Sequence, residues 1–519
     1  MAALFVAGLA VAAPQDATSP PRPAALRTAA ERGDAEAQYQ LALAYLARGG
    51  REGEREAARW LKAAARQRHA AAEARLARLY TEGFAVRADP RAAEELVPEA
   101  TRLLQDAAAQ GHPDAILGLA QAHGSGRGVT RDPDEALRLL RAAAEKGQPE
   151  AAFRLSGLYG AGAGVPKDAE EGLRWLRAAA DGGHAEAQLV LGLHLVASGD
   201  AAGAARWYRA AAEEGLPAAQ YELGQACANG TGVARDEREA VRWYRSAAEG
   251  GHPAAMFDLG SMLAGGVGVA RDEEEAVRWY RSAALLDDRN AQYNLGVMLS
   301  RGRGVPRDDL AAARWFRAAA RGGDAPAQFA VGVLYAEGRG VERDDREAVR
   351  WYRAAAAQGH AEALNNLGSM HEHGRGVGKD VAEAARLYRR AAERGDATGQ
   401  LNLAVVLEAG RGVPADERAA ARWLQAAAEQ GQPDALARLA GYRATGRGGV
   451  AHSATAAAEG YYRAGLAYLQ RERPAQAMAC VEALRGLEKQ GTLGPPHTEL
   501  DEKLLAAISS RGRAPGLAP

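Results

Sequence analysis

The side chains best suited to metal or acid–base chemistry are histidines, and four of them recur at one position of a repeated pattern. Each of the four follows a glycine at the end of an Ala-rich segment: His112, His184, His252 and His360. The ligands of one metal ion must lie within about 2 Å of it, whereas these histidines are one or more repeats apart. His371 and His373 are close in sequence, but their i, i+2 spacing points the rings to different sides of a helix. We therefore predict no metal site.

Motifs for nucleophilic catalysis are absent from the sequence, which contains no G-x-S-x-G, S-x-x-K or H-E-x-x-H pattern. Gly-rich loops such as Gly126–Gly128 and Gly338–Gly340 could in principle hold a phosphate. A phosphate loop needs a strand before it, however, and these loops follow no strand and recur at one repeat position. We predict that they are interhelical turns, and we predict no catalytic residues, no cofactor and no enzymatic activity.

The tryptophans show how the chain is organised, because all eight stand at one position of a repeating unit. Five of them follow one another at steps of 36 residues: Trp207, Trp243, Trp279, Trp315 and Trp351. A fixed period in the range of about 20–50 residues is typical of solenoid proteins. A ladder of indoles could stack on sugars or bases, but each indole stands beside Tyr, Phe or Leu in a helical segment, which favours packing in the core.

Each unit consists of a first helix, a Gly-rich loop and a second helix, and the helix ends are recognisable. Asp236, Asp272 and Asp380 are each followed three residues later by Glu, which predicts reciprocal capping boxes. Glycines that suit a positive φ close the second helices, and Asp287 replaces glycine in one unit.

Two units depart from the common length. The unit containing His194 lacks the Gly-rich loop, which predicts a tight turn. Leu96 and Leu103 both fit the Trp position, so the second helix there should be seven residues longer. Seven residues are about two helical turns and keep the buried face in phase, although Pro98 can bend the helix.

Composition excludes several classes of protein. Lys and Arg number 65 against 66 Asp and Glu, so the net charge of -1 gives no general attraction to nucleic acid or an anionic membrane. Two cysteines are too few for a disulfide framework. No apolar run is long enough to predict a transmembrane segment.

The first 13 residues are apolar and resemble the central region of a secretory signal peptide, with a small-residue cleavage site at Ala10-Val11-Ala12. We therefore expect a periplasmic or secreted protein. The alternative is an apolar helix that caps the repeats of a cytoplasmic protein.

The repeated pattern A-x-x-L-G-x-x-Y-x-x-G-x-G-V-x-x-D-x-x-E-A-V-R-W-Y-R-A-A-A-E-x-G resembles the Sel-one-like repeat (SLR) family, relatives of tetratricopeptide repeats. The resemblance implies an all-α, right-handed α/α solenoid superhelix of about eleven helix-turn-helix repeats, with the first helices lining a concave face. It also implies a non-enzymatic adaptor or scaffold, commonly exported in bacteria and linked to envelope, cell-wall or exopolysaccharide processes. It supplies no catalytic residues.

The pattern divides the chain into five segments. We predict a signal peptide at 1–13, a Pro-rich linker at 14–27, the repeat solenoid at 28–446, a helical C-terminal cap at 447–510 and a disordered tail at 511–519.

A variable position on the first helices carries polar side chains where the concave face should lie. It is occupied by Glu222, Asp258, Asn294, Asn366 and Asn402, and Ser369 lies one turn further on. Amide groups can donate to and accept from a peptide backbone. These residues therefore predict a site for a protein or peptide partner; the alternative is ordinary solvated surface.

Two other functions remain open. One is a scaffold in exopolysaccharide or peptidoglycan assembly that binds glycan or an enzyme that makes it. The other is a hydrolase acting on cell-wall material or β-lactams, which no residue pattern supports.

Overall fold

The computed structural model describes residues 23–82, 90–491, 493–494 and 497–511. These residues form 27 α-helices and two short 3-10 turns, with no β-strand among them. The chain divides into two compact units at His252 and Pro253. The all-α solenoid class predicted from the repeats is confirmed.

Helices α1 to α13 belong to the first unit. They are α1 (Pro23–Glu31), α2 (Ala35–Arg48), α3 (Gly50–Ala65), α4 (Ala70–Glu82), α5 (Pro90–Ala109), α6 (Pro113–Ser125), α7 (Pro133–Glu145), α8 (Pro149–Ala161), α9 (Ala169–Asp181), α10 (Ala185–Ala197), α11 (Ala201–Glu213), α12 (Pro217–Asn229) and α13 (Glu237–Glu249).

Helices α14 to α27 belong to the second unit. They are α14 (Pro253–Gly265), α15 (Glu273–Leu285), α16 (Arg289–Arg301), α17 (Asp309–Arg321), α18 (Ala325–Glu337), α19 (Asp345–Ala357), α20 (Ala361–His373), α21 (Val381–Glu393), α22 (Ala397–Ala409), α23 (Glu417–Glu429), α24 (Pro433–Thr445), α25 (Ala454–Gln470), α26 (Pro474–Lys489) and α27 (Leu500–Arg511).

Within each unit, successive helices pack against one another as a chain of antiparallel pairs. Both predicted departures in length are confirmed. Helix α5 has 20 residues, seven more than the 13 of α7. Helices α10 and α11 are joined through Ser198–Asp200.

The chain ends differ in how much of them is described. Helix α1 begins at Pro23, so residues 23–27, which the sequence placed in a linker, are helical. The predicted signal peptide at 1–13 and residues 512–519 of the predicted tail lie outside the described residues. At the C-terminal end, α27 packs on both α25 and α26, and Arg485 pairs with the buried Asp501 at 3.0 Å.

The N-caps of the second helices hold two helices together. Asp272 Oδ1 accepts from the N–H of Glu275 at 2.8 Å, as predicted. The N–H of Asp272 donates to the carbonyl of Leu263 on the first helix at 3.0 Å. The Glu275 carboxylate accepts from Trp279 Nε1 at 3.1 Å. The expected return bond from the N–H of Asp272 to the Glu275 carboxylate is therefore replaced. The N–H bonds Leu263, and the carboxylate bonds Trp279.

Positive φ angles close the second helices as the sequence predicts. Gly323 and Gly359 have φ values of 92° and 86°, and Asp287, which replaces glycine, has a φ of 61°.

In the repeat of Trp279, the core centres on the residue after the tryptophan, which corrects the sequence interpretation. Tyr280 is 3% exposed, whereas Trp279 is half-buried at the edge of the same helix. The Tyr280 ring lies over Gly260 of α14, where an added Cβ would come within 2.9 Å of it. Glycine at this position therefore lets the second helix place a ring directly against the backbone of the first.

Arginines in the Gly-rich loops join neighbouring repeats. Arg339 pairs with Asp309 at the start of the preceding second helix at 3.0 Å, and Arg375 pairs with Asp345 in the same way at 2.7 Å. Next to the first of these, Gly340 has a φ of 66°, and a Cβ there would overlap the carbonyl oxygen of Asp309. The loops are thus contacts between repeats rather than phosphate sites.

Two of the histidines at the repeat ends make structural contacts. His360 Nδ1 accepts from the N–H of Ala363 at 3.3 Å and so caps α20, while its ring stacks on Phe329 at 4.8 Å. In the first unit, His252 stacks on Tyr221 at 4.5 Å. Each ring therefore joins the end of one repeat to the first helix of the same repeat.

We expect Tyr280→Ala to lower the free energy of unfolding by about 3–5 kcal/mol, because it removes a buried ring. Trp279→Ala should cost less, since that indole is already partly solvated. Hydrogen exchange and thermal unfolding of both variants check this. A larger loss for Trp279→Ala would contradict it.

Gly340→Ala should destabilise the second unit by at least about 1–2 kcal/mol, because alanine is strained at positive φ and its Cβ meets the Asp309 carbonyl. Gly378→Ala is a matched control, since nothing lies within 4 Å of a Cβ added there. Urea unfolding compares the two, and equal effects would refute the packing role of Gly340.

His252 should make stability depend on pH. Burial lowers its pKa from 6.5, so the folded protein binds this proton less readily than the unfolded chain. The stability it contributes is present above about pH 6.5 and is lost as the pH falls below that value. We expect urea unfolding between about pH 7 and pH 5 to show a steeper loss for the parent than for His252→Phe. Equal slopes would contradict this.

Candidate partner-binding surface

The candidate residues lie on first helices, and some successive first helices pack against one another. Helix α20 packs directly against α22 in the second unit, and α4 packs against α6 in the first. The candidate positions Asp258, Asn294, Asn366 and Asn402 are all half-buried. Glu222, in the first unit, is half-buried as well.

Asn294 lies near a tyrosine of the preceding repeat. The Tyr280 hydroxyl donates to Ser261 Oγ at 3.1 Å. Burial raises the pKa of this hydroxyl, and the polar side chains of Ser261 and Asn294 partly offset the effect. Polar side chains of two first helices therefore meet at one buried tyrosine.

The amides of α20 and α22 form the most connected polar group on this side. Asn402 Nδ2 donates to Asn365 Oδ1 at 2.8 Å, and Asn365 Nδ2 donates to Asn366 Oδ1 at 3.3 Å. Burial raises the pKa of the Tyr352 hydroxyl, and the nearby Asn366 partly offsets the effect. We call Asn365, Asn366 and Asn402 the amide cluster. It fixes three amides across two repeats.

The sequence analysis missed Asn365, which is only 7% exposed. Its position holds Tyr, Phe or Leu in neighbouring repeats, as in Tyr293, Phe329 and Leu401. A polar side chain at a position that is otherwise apolar is the feature of the sequence that could have identified Asn365 as a candidate.

Ser369 lies beside the amide cluster rather than within it. Its Oγ is 3.5 Å from His373 Nδ1. The nearby Tyr388 hydroxyl donates to Glu372 Oε2 at 2.7 Å. The predicted polar ladder is thus partly engaged in contacts within the chain.

Glu222 differs from the candidates of the second unit. Among the described residues it has neither a hydrogen bond nor an ion pair, and burial raises its pKa. Its neighbour Gln225, by contrast, donates to the Tyr221 hydroxyl at 2.6 Å. Glu222 is therefore a half-buried carboxylate without a partner.

A groove on the inner side of the first unit was not foreseen from the sequence. It has a volume of about 670 Å³, and its lining includes Arg75, Arg78, Asp114, Glu150 and Arg154. Arg154 is held by Glu150 at 2.6 Å. The groove thus carries charges of both signs.

Metal binding, the cysteine thiols and membrane insertion can be assessed in the described parts of the chain. No group of three or more His, Cys, Asp or Glu side chains there is placed to hold a metal ion. Cys227 and Cys480 are free, and burial raises the pKa of each thiol to about 11. No helix there is long and apolar enough to cross a membrane.

Comparison with known proteins identifies the repeat. Eleven consecutive segments match the Sel1 repeat: 35–69, 70–112, 113–148, 149–184, 185–216, 217–252, 253–288, 289–324, 325–360, 361–396 and 397–432. No curated protein matches the chain.

Solved structures similar to the chain include two from this group of repeat proteins. One is a protective antigen present in uropathogenic Escherichia coli strains that displays an SLR fold. It is 26% identical, with a TM-score of 0.55, over 96% of this chain and 99% of its own. The other, a Sel1 repeat protein from Oxalobacter formigenes, is 29% identical over 46% of this chain and 96% of its own, with a TM-score of 0.43. Since the Sel1 repeats fill well over half of the chain, it belongs to the Sel1 repeat family.

Proposed function

We propose that this chain is a non-enzymatic scaffold that binds a protein or peptide segment on the inner side of its first helices. The repeat fold supports a role in protein–protein interaction, because it exposes a long surface whose shape is set by stacked helices. The balanced charge of the chain gives no reason to favour nucleic acid.

The amide cluster is the observation that carries this proposal. Each of its three amides has two N–H donors and one carbonyl acceptor, and only part of this capacity is used by the bonds among Asn365, Asn366 and Asn402. An extended peptide offers alternating donors and acceptors along its backbone, which amides can match. Because the amides are held by one another, less side-chain freedom is lost when a partner binds.

Asp258, Asn294 and Ser369 extend the proposed surface along the second unit. Asp258 adds a carboxylate on α14, and Asn294 lies one repeat further on. Ala330 interrupts the series between Asn294 and Asn366, so the surface is divided into two polar parts.

We also propose that the protein is exported to the periplasm or secreted. The support is the apolar run of residues 1–13 and the small residues at Ala10-Val11-Ala12, which fit a secretory signal. The partner would then be a component of the cell envelope.

The proposal is tested by affinity capture from envelope extract of the source organism, using the parent and a variant with Asn294, Asn366 and Asn402 changed to Ala. Each lost hydrogen bond costs about 1 kcal/mol, so three should weaken binding of a captured partner by about 100-fold. Affinity for the identified partner is then measured by calorimetry.

A variant with Arg278, Arg314 and Arg353 changed to Ala is the matched control, since these exposed side chains lie on second helices. It should bind like the parent. If the parent, the asparagine variant and the arginine variant all bind the partner equally, the binding site does not include the asparagine positions. If the parent retains no protein but does retain envelope glycan, the glycan-scaffold alternative replaces this proposal.

A further inference from the structure

Helix α10 of the first unit presents an apolar surface where most other first helices carry a polar side chain. Val190, Leu193 and Val196 are 40%, 46% and 48% exposed, and they lie on one side of the helix at spacings of three. We call these three residues the apolar stripe. In the next repeat, Glu222 stands at the position of Val190 and Gln225 at the position of Leu193.

The clustering of these side chains is unusual for this chain. The stripe supplies three of the eight large apolar side chains that are exposed among the described residues. Single exposed leucines are common on protein surfaces, but a contiguous apolar surface indicates a place where another molecule binds.

Tyr208 of α11 connects the stripe to the next repeat. Its ring lies over Gly192 of α10, in the same way that Tyr280 lies over Gly260 in the second unit. There, Ser261 accepts from the Tyr280 hydroxyl. Leu193 stands at the position of Ser261, and within the described chain the Tyr208 hydroxyl has no hydrogen-bond partner.

Glu222 belongs to the first helix of the repeat that follows Tyr208, as Asn294 does for Tyr280. Burial raises the pKa of Tyr208 to about 12, and the charge of Glu222 adds to the effect. No basic side chain in the described residues pairs with Glu222. A carboxylate and a hydroxyl, both without partners, thus border the apolar stripe on the side of α12.

The opposite border carries an ion pair. Arg154 on α8 occupies the position equivalent to Val190 and Glu222, and it is exposed and paired with Glu150. From α8 through α10 to α12, this position therefore changes from a paired cation to an apolar side chain to an unpaired carboxylate. A partner with a cationic group would be directed towards the unpaired carboxylate on α12.

We propose that the apolar stripe, Tyr208 and Glu222 form a docking site for a peptide segment that carries aliphatic side chains next to a Lys or Arg. The aliphatic side chains cover Val190, Leu193 and Val196. The cation pairs with the Glu222 carboxylate and donates to the Tyr208 hydroxyl. This inference rests on the proposed scaffold function, and it adds a second site, in the first unit, with its own partner chemistry.

The probe is a phage-displayed library of random 12-residue peptides, selected on the immobilised full chain. Enriched peptides should combine aliphatic residues with Lys or Arg. Synthetic copies should bind the parent and bind Leu193→Ser and Glu222→Gln at least about 10-fold more weakly. Leu193→Ser introduces the residue that the chain itself has at Ser261, so it should fold normally. Circular dichroism checks this.

Leu310→Ser is the matched control, because Leu310 is 54% exposed on α17 in the second unit. It should bind the peptides like the parent. Raising the salt concentration should weaken binding to the parent more than to Glu222→Gln.

The proposal is overturned if no peptide is enriched above the bare support, if the enriched peptides lack basic residues, or if both variants bind them as the parent does. The scaffold proposal fails separately, in the capture experiment with the asparagine variant. If no peptide binds the apolar stripe but the capture experiment succeeds, only the docking proposal fails. If peptides bind the stripe but the capture experiment fails, only the scaffold proposal fails.

Discussion

Six consecutive repeats, from 185–216 to 361–396, depend on a contact between a glycine of the first helix and an aromatic ring of the second. The pairs Gly296–Phe316 and Gly332–Tyr352 repeat the geometry of Gly260–Tyr280, and in each a Cβ on the glycine would lie within 3 Å of the ring. The ring fills the space that a side chain would occupy, so the two helices approach closely and the ring is removed from water. A larger residue would separate the helices and expose the leucines beside them.

Contacts between repeats then turn these helix pairs into a surface of fixed spacing. The loop arginines bond to the first turn of the preceding second helix, and the glycines beside them allow that close approach. The Asp caps bond the second helix to the carbonyls of the first. Since each repeat contacts the next one in the same way, the spacing between equivalent side chains of the first helices is fixed by the fold. That regularity lets residues from separate first helices act on one partner.

Specificity then resides in the few positions that the packing leaves variable. One position of the first helix is an asparagine in the amide cluster, a valine in the apolar stripe and an unpaired carboxylate at Glu222. The buried tyrosines near this position also differ in their hydrogen bonds. The Tyr280 hydroxyl donates to Ser261, whereas Leu193 holds the equivalent position near Tyr208, whose hydroxyl has no hydrogen-bond partner among the described residues. The same scaffold thus presents different chemistry along its length.

The sequence alone determined the period, the helix lengths, the Asp N-caps and the glycine or aspartate ends, because these depend on residues a few positions apart. It also indicated which first-helix positions vary. Only the tertiary structure decided that Tyr280 rather than Trp279 is the buried ring, that Glu275 bonds an indole, and that Asn365 joins the amide cluster. These outcomes depend on contacts between helices and between repeats. Neighbouring residues of a helix point in directions about 100° apart, and the pattern of residue types does not specify which of two neighbours faces the core.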